Sequence, residues 1–204
     1  MEMLLILATR NRKKQQEIVA SLCELPLEFG DLADRPNVAE VDETGTTFEE
    51  NARLKAIQVA KATNAWALGE DSGLVVPALN GQPGIYSARY AGEPANDDAN
   101  NTKLLAELAR YPDAHRDGYY VCTAALSDPH GNVQAMVEGR CHGVIASQRR
   151  GTGGFGYDPL FLIPELHQTF GEVSPRVKQA LSHRARAMVK LRPALQRILN
   201  PRLE

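Results

Sequence analysis

The run Met3-Leu-Leu-Ile-Leu-Ala8 contains no polar side chain, and it stops abruptly at Thr9-Arg-Asn-Arg-Lys-Lys14. A strand of that composition has no solvent face, so it must be covered on both sides, as strands are when crossover helices flank a sheet. Ile18, Val19, Leu22 and Cys23 then recur at helical spacing. The chain therefore opens as buried strand, polar loop and helix, which commits it to the α/β class.

The rest of the chain fits that class. After a stretch punctuated around Pro36, Asp42-Glu-Thr-Gly45 leads into residues 46–62, where Phe48, Ala52, Ala56 or Ile57, and Val59 form an apolar stripe. Thr47 with Glu50 three residues on has the spacing of a capping box, which predicts a helix start there. Trp66-Ala-Leu-Gly69 reads as a strand ending at Glu70-Asp-Ser-Gly73, and residues 97–110 as a helix with Leu104, Leu105 and Leu108 inward. Two β-type runs, 119–126 and Val133–Ile145, flank Asp128-Pro-His-Gly-Asn132, which reads as a hairpin turn. Ser174-Pro175 supplies an N-cap and first-turn pair for a helix running toward Leu199, stopped by Asn200-Pro201. The expected fold is α/β with a mixed sheet, in a single domain over residues 1–204, with no internal repeat.

Composition narrows the partners. With 43% hydrophobic and 24% charged residues the chain can bury a core, and its net charge of −2 offers no basic face for a nucleic acid polymer. A small anion remains compatible, because a few local cations and backbone N–H groups suffice to hold it. The first eight residues have no basic leader region, and the apolar run is too short for a membrane span, so a cytosolic protein is expected. Cys23, Cys122 and Cys141 are an odd number without a CxxC pair and read as buried thiols. The five histidines form no HxxxH pair, which leaves zinc hydrolysis without support.

Several clusters could carry chemistry, and each has a plainer alternative. Carboxylates at Asp42-Glu43 and Glu70-Asp71 could hold Mg²⁺, a hard cation that joins protein carboxylates to phosphates; helix capping and turn formation would also explain them. Thr9, Asn11 and Lys14, with Arg10, Arg12 and Lys13 between them, could meet a phosphate at a helix start, or simply form a solvated first turn. No Walker A pattern is present. Gly151-Thr-Gly-Gly-Phe-Gly156 spells a dinucleotide fingerprint, but Tyr157-Asp-Pro159 and an apolar run follow it instead of a helix, which rules that reading out. Ser182-His-Arg184 and Lys178 form a basic group that could equally be surface.

Taken in order, these pieces resemble the motif series of the inosine triphosphate pyrophosphatase family, the XTP/dITP diphosphatases. The matching pieces are Ala8-Thr9-x-Asn11-x-x-Lys14, Glu43-Thr44-Gly45 with Thr47-Phe48-x-Glu50-Asn51-Ala52, Asp71-Ser72-Gly73-Leu74, Pro83-Gly84-x-Tyr86-Ser87-Ala88-Arg89-Tyr90, Gly154-Phe155-Gly156-Tyr157-Asp158-Pro159 and Ser182-His183-Arg184. The resemblance implies an elongated central mixed sheet flanked by helices, two lobes with an active-site cleft between them, and a homodimer. It further implies phosphate binding by the first loop, here residues Thr9 to Lys14, with Ser72 also at the substrate. Phe155, Gly156, Tyr157, Asp158, Lys178, His183 and Arg184 would line the base and sugar end. Asp71 would be the proton acceptor, with Mg²⁺ held by Asp71 and the Asp42-Glu43 cluster. Arg10 and Lys13 stand where the family usually has glycine, and Glu70 where it more often has aspartate.

The reaction so implied is hydrolysis of ITP, dITP or XTP to the monophosphate and pyrophosphate, which clears deaminated purines from the nucleotide pool. Two alternatives are a pyrophosphatase preferring pyrimidine or modified bases, and a catalytically silent nucleotide-binding module.

Overall fold

The structure is a computed structural model describing residues 2–111 and 115–200. Strand β1 (Met3–Leu7) pairs in parallel with β2 (Leu27–Gly30) and β3 (Trp66–Val75), Leu5 standing opposite Phe29 on one side and Trp66 on the other. The sheet continues through β4 (Asp117–Ser127), β5 (Val133–Ile145), β6 (Phe161–Ile163) and β7 (Gln168–Thr169) in the order β2-β1-β3-β4-β5-β6-β7. The last two pairings are antiparallel, so the sheet is mixed, as the sequence indicates. Around it lie helices α1 (Arg12–Leu22), α2 (Phe48–Thr63), α3 (Asp97–Leu108), α4 (Pro175–Leu181) and α5 (His183–Leu199).

The chain divides into two compact units. The first holds the chain through Asp71, Cys122–Gly139 and the part from Arg184 on; the second holds Ser72–Val121 and Arg140–His183. In the first unit the apolar run of β1 splits by strand alternation: Leu5 and Leu7 pack with Ile18, Leu22, Met188 and Leu191, whereas Ile6 and Ala8 pack with Val59, Ala60 and Leu32. Both faces are thus covered, and each fully buried leucine stabilises the fold by about 1.5–3 kcal/mol. In the second unit Leu104 and Leu108 of α3 join Leu74, Val76, Phe161 and Phe170 in one core.

Helix α2 starts as its sequence predicts. Thr47 Oγ1 accepts from the Glu50 N–H at 3.1 Å, and Glu50 Oε2 accepts in return from the Thr47 N–H at 3.2 Å. The helix lies unusually close to β3: a Cβ on Gly69 would fall 2.2 Å from the Ala52 carbonyl oxygen and 2.4 Å from the Ala56 nitrogen. Only glycine admits that approach.

Three expectations are corrected. The Trp66 strand does not end at Glu70 but runs on to Val75, so Asp71-Ser-Gly73 is mid-strand and not a turn. The expected C-terminal helix is two, broken at Ser182, whose extended backbone (φ −65°, ψ 155°) ends α4 before α5 begins at His183. Cys23 is exposed, while Cys122 and Cys141 are buried as expected; all three are free thiols. Pro201, expected to stop the last helix, lies outside the described residues. Among the described residues, no helix is long and apolar enough to cross a membrane.

Candidate active site

The close approach at Gly69 sets the chemistry of the first unit. It brings Asn51 and Lys55, one helical turn apart on α2, against the next residues of β3. Lys55 Nζ donates to Asp71 Oδ1 at 2.9 Å and to the Glu70 carbonyl at 3.3 Å, and pairs with Glu43 Oε1 at 2.8 Å. Asn51 Nδ2 donates to the other Asp71 oxygen at 3.3 Å, while its own Oδ1 accepts from the Gly45 N–H at 2.8 Å. One asparagine therefore ties the loop carrying Glu43 to the strand carrying Asp71.

Asp71 is buried, and burial pushes its carboxyl above the usual carboxylate range against the pull of Lys55 and Lys14; nearby Glu43 adds to the rise. Burial also works against the Lys55 charge, but Asp71 and Glu43 outweigh it and raise that pKa, so Lys55 stays an ammonium. Two carboxylates thus converge on one shared cation. Asp42, by contrast, is exposed, and its carbonyl accepts from the Thr44 N–H at 3.0 Å. The helix cap is Thr47, so neither acid serves as one.

The first loop is ordered by its own side chains. Asn11 caps α1, its Oδ1 accepting from the Lys13 and Lys14 N–H groups at 3.0 and 3.2 Å; Thr9 Oγ1 accepts from the Asn11 N–H at 3.2 Å. Lys14 Nζ lies 3.0 Å from Glu70 Oε2. Arg10 turns aside, donating to the carbonyls of Leu32 at 3.2 Å and Val38 at 2.8 Å, and Arg12 acts on Asp31, whose carboxyl is lowered first by the Ala33 N–H and further by that guanidinium. Arg10 thus braces the segment after β2, and among the first-loop cations Lys14 lies beside the acidic pair. Glu70 is engaged by Arg184 as well, through Nε at 3.1 Å and Nη2 at 2.8 Å.

The second unit assembles a different set. Asp158 Oδ2 accepts from the Phe155 N–H at 2.8 Å and from Lys178 Nζ at 2.6 Å, and Oδ1 accepts from the Tyr120 hydroxyl at 3.4 Å. Lys178 Nζ sits 4.4 Å from the Phe155 ring centroid, and the His183 ring stacks on Tyr120 at 4.6 Å and 12°. Gly154 has φ +72°, and a Cβ there would fall 2.0 Å from Asp158 Oδ2, so the glycine-rich turn exists to let Phe155 reach that carboxylate. Gly156 is pinned at both ends, its N–H on Asp97 Oδ2 and its carbonyl on Asn101 Nδ2, both at 2.8 Å. The Tyr157 hydroxyl donates to the Ser87 carbonyl at 2.8 Å, and burial raises its pKa, so it is a structural anchor. Ser72, half-buried, follows Asp71 on β3 and faces away from it by strand alternation.

The residues expected together therefore fall into two groups: Thr9, Asn11, Lys14, Glu43, Asp71 and Arg184 in one unit, and Phe155, Asp158, Lys178 and His183 in the other. The boundary between the units falls between His183 and Arg184, so that adjacent pair is divided between the two groups. Lys55, Tyr120 and Glu17 escaped the sequence reading. Lys55 did leave a signal, since a lysine on the stripe of Ala52, Ala56 and Val59 must bury its charge against something.

A parallel-edged α/β sheet that sets a cation at a strand-to-helix loop, beside two carboxylates sharing one cation, is an arrangement suited to an enzyme acting on a phosphoanhydride. The chain belongs to the Ham1 family, whose pattern it matches over residues 5–194. It is 49% identical over 195 residues to a dITP/XTP pyrophosphatase of Rhodopirellula baltica, covering 96% of this chain and 94% of that one. A dITP/XTP pyrophosphatase of Geobacter sulfurreducens is 50% identical over 191 residues, covering 94% and 96%. Among solved structures, a HAM1 protein from Coxiella burnetii superposes with a TM-score of 0.87 at 37% identity, covering 95% of this chain and 98% of that one.

Proposed function

We propose that this chain hydrolyses dITP, ITP and XTP to the nucleoside monophosphate and pyrophosphate, with Asp71 as the base. The carrying observation is the convergence of Asp71 and Glu43 on one cation, Lys55, with Lys14 anchored one residue away on β3. Near-full-length similarity to dITP/XTP pyrophosphatases supports the same reading.

Asp71 accepts a proton from a water as its oxygen attacks the α-phosphorus. The P–O bond to the β-phosphate breaks, and pyrophosphate leaves with the electron pair. Lys14 offsets charge on the departing phosphates, and the Thr9 hydroxyl donates to a remaining phosphate oxygen. Asn51 and Lys55 keep the Asp71 carboxylate in a single orientation.

The donor set fits a divalent ion. Asp71 and Glu43 already present one carboxylate oxygen each to a common cation, Lys55. That matches Mg²⁺, which keeps water and substrate phosphates in its shell. When bound by Asp71 and Glu43, it supplies charge neutralisation and a more acidic water. Glu70, engaged by Arg184 and Lys14, is left out of this set, and so is exposed Asp42.

Base choice falls to the second unit. The Lys178 ammonium, held by Asp158, is donor-only and pairs with a 6-oxo group; the 6-amino group of adenine offers it only further donors. Phe155 and His183 supply flat faces for the ring. The resemblance extends the proposal to a cytosolic homodimer, which light scattering on the purified protein tests.

Asp71→Asn keeps the shape of the side chain and removes the base. ITP turnover should fall by about 100-fold or more, with the circular dichroism spectrum unchanged; a near-normal rate in the folded variant sinks the assignment.

A further inference from the structure

Within the second unit, helix α3 holds the glycine-rich run before β6 at both of its ends. Arg149 Nη2 donates to the Asp98 carbonyl at 2.8 Å and to Thr102 Oγ1 at 2.7 Å, which fixes the start of the run. At its end, the Gly156 N–H donates to Asp97 Oδ2 and the Gly156 carbonyl accepts from Asn101 Nδ2, both at 2.8 Å. Asp97 and Asn101 are one helical turn apart, so a single face of α3 meets both peptide planes that flank Gly156.

Gly156 has φ +60°, and a Cβ there would meet nothing within 4 Å, so glycine is needed for its backbone conformation and not for space. A glycine left to itself visits many conformations, and the two hydrogen bonds select one. The selection reaches the preceding residue. The peptide whose N–H meets Asp97 is the one whose carbonyl, that of Phe155, accepts from the Asp158 N–H at 3.2 Å. The Phe155 ring stands at the head of this peptide, its centroid 4.4 Å from Lys178 Nζ.

Asn101 shows that holding Gly156 carries a penalty. It is 3% exposed, on the α3 face that carries Leu104 and Leu108 into the core. Its Nδ2 serves two carbonyls, those of Asp97 at 2.6 Å and of Gly156, so the amide has one orientation. Its Oδ1 is then buried without a hydrogen-bond partner among the described residues. An apolar side chain at this position would avoid that penalty but would leave the Gly156 carbonyl unheld.

We propose that Asp97 and Asn101 are positioning residues for nucleotide binding: they lock the Gly156 turn so that the Phe155 ring is already in place for the purine. This rests on the reading of Phe155 as a face for the base. A preset ring spares the nucleotide the ordering of a glycine turn, so the effect falls on binding and not on the chemical step.

Steady-state kinetics on ITP reads the whole nucleotide, and calorimetry with inorganic tripolyphosphate and magnesium reads phosphate binding without any base. In Asp97→Ala the KM for ITP should rise by about tenfold, while kcat changes little and tripolyphosphate Kd holds. Asp97→Asn keeps an acceptor oxygen without the charge and should restore the parental KM. In a Phe155→Ala background Asp97→Ala should add no further loss, since it acts through that ring. Asn101→Leu opens only the carbonyl side. It should raise the KM by a smaller factor and melt no lower than the parent, which keeps the test open should Asp97→Ala fail to fold. A parental KM in folded Asp97→Ala, a tripolyphosphate Kd that rises with the KM, or additive losses in the double variant overturns the proposal. If Phe155→Ala alone leaves the KM at the parental value, the reading of that ring as a base face fails and the proposal falls with it; a Phe155→Ala effect without an Asp97→Ala effect overturns the proposal alone.

Discussion

At the scale of single residues, the site is a set of buried charges whose partners decide their state. Asp71 has the environment of a base: burial lifts its pKa above the free value of 3.8, and Lys55 limits how far. Its carboxylate form is therefore lost at a higher pH than in an exposed aspartate, and kcat/KM should fall as pH drops through that raised value. The sign for stability is opposite. A carboxyl raised in the folded state contributes fully below its unfolded pKa and loses that contribution as pH rises through the folded one. Asp71→Asn should thus unfold at a temperature no lower than the parent at pH 7, and the difference should shrink toward pH 3, by calorimetry without metal or nucleotide. A lower melting temperature for the variant at pH 7 would mean that the pair with Lys55 outweighs burial. Lys55 and Glu17 were hidden in the sequence because a charged residue on a helix is usually solvated; only the strand packed against it reveals a charge with nowhere else to go.

At the scale of elements, strong local signals were legible and competing ones were not. The unbroken apolar run of β1, the Thr47/Glu50 box and the turn at residues 128–132 each have one physical reading, and each formed as expected. Glu70-Asp-Ser-Gly73 carries turn-forming residues, yet it is strand, because Lys14, Arg184, Lys55 and Asn51 meet its carboxylates and remove the penalty of burying them. The break at Ser182 left no glycine or proline to mark it. Of the six motif pieces, the first loop and the Phe155 to Asp158 turn could be placed in advance, but their mutual contacts could not, since helix-to-strand distance is not written in spacing. Gly69 sets that distance. Gly69→Ala should cost about 1–3 kcal/mol by denaturant titration, and it should lower turnover beyond the loss of folded protein by lifting Lys55 from Asp71. An alanine variant with parental stability and rate would show that α2 adapts freely.

At the scale of the whole molecule, the chain passes between its two compact units at Asp71/Ser72, Val121/Cys122, Gly139/Arg140 and His183/Arg184. Each unit is built from separated pieces of sequence, so neither closes its core by local contacts alone. We expect one cooperative transition over residues 1–204, with tryptophan fluorescence from Trp66 and far-ultraviolet dichroism coinciding in denaturant; separated transitions would mean two independently folding domains. We propose that phosphate and water chemistry belongs to residues of the first unit and base choice to residues of the second. The most direct test of that account is a substrate panel of ITP, XTP, dITP, ATP, GTP, CTP and UTP, with and without magnesium, with the phosphate products separated by chromatography. Monophosphate and pyrophosphate formed from ITP, XTP and dITP far faster than from the other nucleotides, and only with the metal, is the predicted result; orthophosphate as first product, or equal rates across the panel, would contradict it.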